Sequence, residues 1–208
     1  MTEHFLWRAD GLGFSWPGCT LFQNWSQRIR AGVTAVYGDE SSGKSTLLQL
    51  MAGALAPQAG RLELNGVSLD QNARRYQEQV YWMDPRTEAH DQQSARNYLQ
   101  TLPALYAGFA PQTLDHMVQG LSLTDFLDKP LYMLSTGSKR KVWLAAGFAS
   151  GAPLVLMNKP FAALDKPSIA FLRECLQEAS VHPSRAWVLA DYERPEGVPL
   201  AGSIALPG

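Results

Sequence analysis

A glycine-rich segment between a β-rich run and an amphipathic run constrains this chain more than any other part of its sequence. Residues 38–46 read Gly-Asp-Glu-Ser-Ser-Gly-Lys-Ser-Thr and fit the pattern G-x-x-x-x-G-K-[ST] at every required position. The run 33–37 before it is rich in β-formers and indicates a buried strand. After it, Leu47, Leu50 and Met51 recur at helical spacing. Strand, loop and helix in this order predict a phosphate-binding loop.

The loop predicts the binding of a nucleoside triphosphate together with Mg²⁺. Backbone N–H groups of such a loop face the phosphates, and the helix that follows adds its positive N-terminal end. Lys44 would reach the β- and γ-phosphates, and the Ser45 hydroxyl would bind Mg²⁺. The candidate nucleotide-binding residues of the loop are Gly38, Ser41, Ser42, Gly43, Lys44, Ser45 and Thr46.

Strand and helix signals alternate along the rest of the chain. Alternating hydrophobicity predicts strands over 20–29 and 60–66, the second ending in the hairpin dipeptide Asn-Gly. A helical stretch over 92–129, punctuated by Pro103 and Pro111, indicates several short helices. Further strands are expected at 33–37, 79–83, 154–157, 186–190 and 203–206, and further helices at 139–150 and 168–179. The pattern predicts an α/β fold in which a helical lobe is inserted between two strand-rich regions.

Composition narrows the class of protein. The 208 residues suit one domain with a real core, and the net charge of −1 excludes a broad nucleic-acid footprint. Cys19 and Cys175 lie far apart without metal spacing, as expected of reduced thiols in a cytosolic protein. Neither a signal peptide nor a membrane span is expected, so any membrane role requires a partner chain.

A second motif makes a family resemblance specific. Residues 134–138 read Leu-Ser-Thr-Gly-Ser, and Ser135 and Gly137 match the Leu-Ser-Gly-Gly-Gln signature of ATP-binding cassette (ABC) ATPases. Residues 162–165, Ala-Ala-Leu-Asp, resemble the D-loop, and Trp16 stands where the family stacks an aromatic ring on adenine. The resemblance implies a P-loop NTPase core with a mixed sheet flanked by helices, an N-terminal antiparallel β region and an inserted α-helical subdomain. It also implies that Ser135 and Gly137 contact the nucleotide of a second cassette.

Four positions depart from that family. The strand that should end in Asp and Glu ends in Asn158 and Lys159. The Asn158 amide lacks the negative charge that attracts Mg²⁺, and a protonated Lys159 cannot accept a proton from water. The Q-loop glutamine falls at Asp84, and the switch histidine falls at Asp191. The resemblance therefore places the catalytic positions at Lys159, Asp191 and Asp84, and predicts impaired hydrolysis.

Two hypotheses follow from these replacements. Lys159 and Asp191 could pair, leaving an ion pair where the family has its catalytic dyad. Asp84 could supply the carboxylate that Asn158 lacks, so the candidate Mg²⁺ ligands are Ser45, Asn158 and Asp84. The run Lys139-Arg140-Lys141 after the signature is expected to be a solvated helix face.

The leading function is an ATP-binding subunit of an ABC transporter, with ATP and Mg²⁺ as cofactors. Its expected partners are a separate transmembrane permease subunit, contacted through 96–131, and a second cassette in a homodimer or heterodimer. It would be cytoplasmic and peripheral on the inner face of the membrane. The expected organisation is one ABC ATPase domain over 1–208, with the core at 1–84 and 135–208 and the helical subdomain at about 85–134. The alternatives are a catalytically impaired regulatory half of an asymmetric pair, a soluble non-transport ABC ATPase, and an interaction protein that has lost nucleotide binding.

Overall fold

Two β-sheets form the frame of the computed structural model, which describes residues 5–82, 84 and 87–207. The first sheet is antiparallel, and its strands are β1 (Trp7–Trp16), β2 (Cys19–Ile29), β4 (Ala59–Leu64) and β5 (Val67–Ser68). Their order across the sheet is β2-β1-β4-β5. The Asn65-Gly66 dipeptide joins the last two strands with positive φ at both residues, which confirms the predicted hairpin.

The second sheet is parallel and carries the glycine loop. Its strands are β3 (Gly32–Tyr37), β6 (Val80–Trp82), β7 (Leu154–Asn158), β8 (Ala186–Asp191) and β9 (Gly202–Ala205), in the order β6-β7-β8-β3-β9. Tyr37 pairs with Asp191, and Asn158 pairs with Ala190. The carboxyl ends of β3, β7 and β8 therefore meet at one edge, where ligands bind in open α/β sheets.

Polar side chains cap the start of four helices. Side-chain oxygens of Asn72, Ser94, Ser135 and Asp165 accept hydrogen bonds from backbone N–H groups three residues later, which satisfies otherwise orphaned donors. The helices are α1 (Lys44–Met51), α2 (Ala73–Gln77), α3 (Ala95–Leu105), α4 (Pro111–Gly120), α5 (Thr136–Ala149) and α6 (Lys166–Ser180), with 3₁₀ turns at Thr124–Phe126 and Leu131–Met133. Within the described ranges, none of these helices has the length and hydropathy needed to cross a bilayer.

The parallel sheet separates two apolar clusters. Along β7, Leu154 and Leu156 face the cluster that holds α1 and the antiparallel sheet, whereas Val155 and Met157 face the cluster that holds α5 and α6. This alternation is the period of two expected of a strand that is buried on both faces. The second cluster continues into α3 and α4, so the helical segment packs on α5 rather than standing apart.

The predicted fold class is confirmed: an antiparallel sheet, a parallel sheet that bears the glycine loop, and an inserted helical segment. The two strand directions occur in separate sheets. The helical stretch divides as expected, because Pro111 begins α4. Pro103, in contrast, lies inside the final turn of α3 rather than ending it.

Candidate functional site

The glycine loop folds its own lysine back across its backbone. Lys44 Nζ donates hydrogen bonds to the carbonyl oxygens of Gly38 (2.7 Å) and Asp39 (2.5 Å) and lies 3.3 Å from Ser42 Oγ. Gly38 has φ 155°, and a Cβ at that position would lie 2.5 Å from Leu206 O. Glycine is therefore required there, and the loop holds the ammonium group at the start of α1.

Burial lowers the pKa of Lys44, and repulsion from the nearby Lys159 ammonium lowers it further. The side chain is only 6% exposed, yet its three contacts are to neutral acceptors. A phosphate group would offer this ammonium stronger, charge-assisted hydrogen bonds than the loop carbonyls do. The geometry is therefore suited to an anionic ligand.

The end of β7 forms the opposite wall of the site. Asn158 Nδ2 donates to Ser45 Oγ at 3.0 Å, a contact that crosses β8 and joins residues far apart in the chain. Asn158 Oδ1 is buried and finds no hydrogen-bond partner among the described residues. Lys159, the next residue, has φ 48° and donates its backbone N–H to Ala190 O at 2.7 Å. These contacts fix Asn158 beside the Ser45 hydroxyl and turn Lys159 towards the cleft.

Lys159 contacts an aromatic residue rather than an acid. Its Nζ lies 2.8 Å from Tyr192 Oη and 4.2 Å from the centre of the Tyr192 ring. Lys44 Nζ lies 5.2 Å from the same ring. Asp191 instead accepts a hydrogen bond from the backbone N–H of Tyr192 through Oδ1. Within the part of the chain that the structure describes, Lys159 and Asp191 form no ion pair, so the predicted pairing is not observed.

These two walls enclose a cleft of about 720 Å³. That volume is within the usual range for a nucleotide-sized ligand, roughly 300–1,000 Å³. Trp16 lies at its mouth, 45% exposed, with Nε1 3.2 Å from Thr46 Oγ1. The lining residues are Trp16, Cys19, Leu21, Glu40, Ser41, Gly43, Lys44, Ser45, Thr46, Thr136, Arg140, Asn158, Lys159 and Tyr192. The cleft thus contains most of the loop residues and the aromatic residue that the sequence predicted.

The signature segment, residues 134–138, borders this cleft through Thr136. Ser135 Oγ caps α5 by accepting a hydrogen bond from Ser138 N at 3.1 Å. Gly137 packs against the carbonyl oxygen of Ala163, where a Cβ would clash. Neither residue lines the cleft of its own chain, whereas Thr136 and Arg140 do. Ser135 and Gly137 therefore stay available for the predicted contact with a second cassette.

The solvated-face prediction for Lys139, Arg140 and Lys141 is wrong. Lys139 pairs with Asp91 at 2.6 Å, and Lys141 pairs with Asp165 at 2.6 Å. Arg140 donates to the carbonyl oxygen of Ala162, and its burial lowers its pKa. All three cations are half-buried, because the helix packs its basic turn against the D-loop and the segment around residue 91.

The donor set fits Mg²⁺ poorly. Mg²⁺ prefers oxygen ligands with negative charge, but Ser45 and Asn158 offer a neutral hydroxyl and a neutral amide. The residues that line the cleft include one carboxylate, Glu40, from the exposed part of the loop. Asp84 is not among those lining residues, and its carbonyl oxygen accepts a hydrogen bond from Thr87 N at 2.9 Å. Across the described ranges, no three His, Cys, Asp or Glu side chains cluster as a metal site.

Sequence reasoning missed Tyr192 and Arg140. Tyr192 follows the switch position directly, so an aromatic residue next to Asp191 was the available signal. Arg140 stands one turn after the signature, on the helix face that Thr136 shares. Cys19, Leu21 and Glu40 also line the cleft, but their sequence context carries no signal for this.

Comparisons with known proteins bear on the family and the fold of this chain. A family model described as "ABC transporter" matches residues 22–162. The cytochrome c biogenesis ATP-binding export protein CcmA of Pseudomonas fluorescens is 31% identical over 157 residues, which cover 75% of this chain and 74% of that protein. The protein of the same name from Pseudomonas savastanoi pv. phaseolicola is 32% identical over 170 residues, covering 81% of this chain and 80% of its own.

A solved structure described as the ATP-binding subunit of an ABC transporter superposes with a TM-score of 0.78. It covers 89% of this chain and 79% of its own length at 19% identity. At that identity the likeness concerns the fold, including the paired sheets and the inserted helices.

Proposed function

The chain belongs to the ABC transporter family of ATP-binding cassettes, and we propose that it is the ATP-binding subunit of a transporter whose hydrolysis step is weakened. The observation that carries this proposal is the contrast across one cleft. Lys44 and the loop form a complete phosphate cradle, whereas the opposite wall presents an amide and an ammonium. ATP capture is retained, and the water-activating group is absent.

Support for ATP as the ligand comes from the mouth and the base of the cleft. The Trp16 ring is exposed and anchored through Nε1, so it offers a stacking surface for the adenine base. The loop N–H groups and Lys44 face the phosphate end. Members of the family bind ATP with Mg²⁺; in this chain we expect the phosphates and water, rather than the protein, to supply most of the metal's ligands.

Support for weakened hydrolysis comes from Lys159. A general base must accept a proton from the attacking water, and a protonated ammonium has no free lone pair. The Lys159 ammonium donates a hydrogen bond to the Tyr192 hydroxyl, which lies 2.8 Å away. Asp191 replaces the switch histidine, and its Oδ1 is already engaged by Tyr192 N. Neither position carries the family's catalytic chemistry.

A closed pair of cassettes would still use the signature of this chain. The Ser135 side chain and the N-terminus of α5 could contact the γ-phosphate held by a second cassette, in a homodimer or a heterodimer. In a heterodimer, a competent partner would supply hydrolysis at one site while this chain completes that site. The regulatory half of an asymmetric pair is therefore the form of the proposal that the geometry favours.

The membrane role belongs to the proposal as well. The relatives are named export proteins, so export is the direction to test first. The chain would sit on the cytoplasmic face, bound to a transmembrane permease subunit through the region 96–131. In this arrangement the nucleotide core is 1–84 with 135–208, and the helical subdomain is about 85–134. A soluble non-transport ABC ATPase is the alternative, and it would bind no permease.

Steady-state ATP turnover tests the proposal most directly. The unmodified chain should hydrolyse ATP far below the rate of Lys159→Glu, and light scattering should show an ATP-dependent dimer for both proteins. Turnover of the unmodified chain that equals that of Lys159→Glu would contradict weakened hydrolysis. Absence of ATP binding would contradict the whole function and leave an interaction protein.

A further inference from the structure

The cleft carries more positive charge than a single phosphate loop supplies. Lys44, Lys159 and Arg140 line it, opposed among the lining residues by Glu40 alone. Lys44 and Lys159 both lie against the face of the Tyr192 ring, at 5.2 and 4.2 Å from its centre. Two ammonium groups held against one neutral ring repel each other. An anion placed between them would convert that repulsion into two attractions.

Lys159 is held by an aromatic residue rather than by an acid. Its Nζ contacts the Tyr192 hydroxyl and ring, and within the described part of the chain it forms no ion pair with any carboxylate. The phenol is a weak acceptor compared with a phosphate oxygen. The ammonium group is therefore held at the cleft wall in a form that an anionic ligand can bind.

The two residues of this cleft that would lie nearest a metal ion, Ser45 and Asn158, are neutral. The Asn158 amide donates a hydrogen bond to the Ser45 hydroxyl, which is the group that would bind the metal. Mg²⁺ bound to ATP cancels two negative charges of the phosphate chain. Metal-free ATP keeps those two negative charges. A cleft that is rich in cations and poor in carboxylates therefore attracts the phosphates of metal-free ATP more strongly than those of the magnesium complex.

We propose that this cleft binds metal-free ATP about as well as the magnesium complex, with the Lys159 ammonium contacting the terminal phosphates in place of the metal. The proposal rests on ATP being the ligand and deepens that function. It assigns Lys159 as a phosphate-binding residue rather than a vacant catalytic position. Nucleotide-driven closure would then not need Mg²⁺, whereas any hydrolysis by a partner site would.

Isothermal titration of the full chain with ATP, once in excess EDTA and once in Mg²⁺, tests this. The expected dissociation constants differ by no more than about threefold, roughly half a decade of affinity in either direction. Lys159→Asn is a suitable variant because Asn tolerates the positive φ of 48° at this position. We expect it to weaken ATP binding in EDTA by about tenfold or more, the loss of one charge-assisted hydrogen bond, and to weaken binding in Mg²⁺ less.

Two matched variants separate charge from folding. Lys159→Arg keeps the cation and should keep metal-free binding within a few-fold, which a merely structural role would not predict. Lys166→Asn removes the same charge from the exposed first turn of α6, outside the cleft, and should leave both constants unchanged. Thermal unfolding without nucleotide identifies a variant that fails to fold. If Lys159→Asn does not fold, the proposal is tested by Lys159→Arg and by the two titrations of the unmodified chain.

The outcomes distinguish the two proposals. ATP binding that is lost in EDTA but present in Mg²⁺ overturns this inference and leaves the ATP-binding function standing. Equal loss of affinity for Lys159→Asn and Lys166→Asn also overturns it. No binding under either condition overturns the proposed function itself.

Discussion

The two walls of the nucleotide cleft are built in different ways. On the loop wall, Lys44 is held by Gly38, Asp39 and Ser42, all within six residues. On the far wall, Asn158 is held by Ser45 from the other wall, and Lys159 is held by Tyr192 at the end of another strand. The comparison teaches that phosphate binding is encoded in one short segment, whereas hydrolysis requires groups that only the sheet brings together. In this chain the loop wall carries every residue of its motif, and the far wall presents the amide of Asn158 and the ammonium of Lys159.

Restoring the far wall should have the largest effect. The triple variant Asn158→Asp, Lys159→Glu and Asp191→His returns a metal-attracting carboxylate, a proton acceptor and a basic side chain. Because a positioned general base contributes roughly 10²–10⁴-fold, turnover should rise by about that factor. Initial rates of phosphate release at saturating ATP and Mg²⁺ measure it.

The control for the triple variant is Asp191→His alone, which leaves the ammonium in place and should raise turnover little. Unchanged turnover in the triple variant would mean that the far wall does not limit hydrolysis. The contrast between the two walls would then concern structure only.

Removing the lysine of the loop wall should abolish tight ATP binding. Lys44→Met keeps an unbranched side chain but loses the charge-assisted hydrogen bonds to phosphate, so affinity should fall by about 10–100-fold. Fluorescent nucleotide titration measures the loss. Lys129→Met is the control, because Lys129 lies over the Phe126 ring and outside the cleft. Affinity that survives Lys44→Met would show that the far-wall cations alone hold the ligand.

The mouth of the cleft gives an intermediate effect. Trp16→Ala removes the proposed adenine platform, and base stacking on an aromatic ring contributes roughly 1–3 kcal/mol. Affinity for ATP should fall by about tenfold, with little change for inorganic triphosphate, which has no base. Trp16→Phe keeps a ring and should recover most of the affinity.

Equal losses of affinity for ATP and triphosphate on Trp16→Ala would mean that Trp16 shapes the loop instead, through its hydrogen bond to Thr46.

Alkylation of Cys19 offers a second measurement of nucleotide binding in the cleft. It is exposed and lines the cleft, whereas Cys175 is buried. Bound ATP should slow its labelling.

The smallest effect is expected at the start of α6, the helix that follows the far wall in the chain, and it concerns the free energy of unfolding. Asp165 caps this helix through Ser168 N and pairs with Lys141. The Lys141 hydrogen bond and the Ser168 N–H lower the pKa of Asp165. Asp165→Ala should reduce the free energy of unfolding by about 1 kcal/mol at neutral pH, the usual worth of an N-cap.

The pH dependence of that effect has a definite sign. The folded pKa of Asp165 is depressed, so its contribution is present above the unfolded pKa of about 4 and is lost as pH falls through the folded value. Denaturant unfolding of both proteins across this range should therefore show the difference shrinking in acid. Asp128→Ala, which breaks an exposed ion pair with Arg96, should cost less. A difference that grew in acid would contradict this sign.

Local patterns predicted the parts of the fold that depend on neighbours in sequence. The strand–loop–helix unit around 38–46, the Asn65-Gly66 hairpin and the start of α4 at Pro111 follow from turn geometry and periodicity. The basic run 139–141 was misjudged because its partners, Asp91, Ala162 and Asp165, lie elsewhere in the chain. Charge alone indicates a solvated face when distant partners are unknown.

The pairing hypothesis for Lys159 and Asp191 failed for a related reason. Both residues stand at strand ends of the same sheet edge, as the sequence suggested. An ion pair also requires that the two side chains point towards each other, and they do not. The backbone of Lys159 turns with positive φ, and Asp191 folds back onto the next N–H, so the ammonium meets Tyr192. Side-chain direction at a turn depends on backbone angles that composition does not specify.

The sequence by itself determined the phosphate-loop motif, the family, and the amide and ammonium at 158–159, because each is written in contiguous residues. Only the tertiary structure decided what those two side chains contact: Asn158 meets Ser45, and Lys159 shares the Tyr192 ring with Lys44 across three strands. The reason is that parallel sheet order places side chains from distant segments at one edge. Their mutual contacts then set the charge that a ligand in this cleft meets.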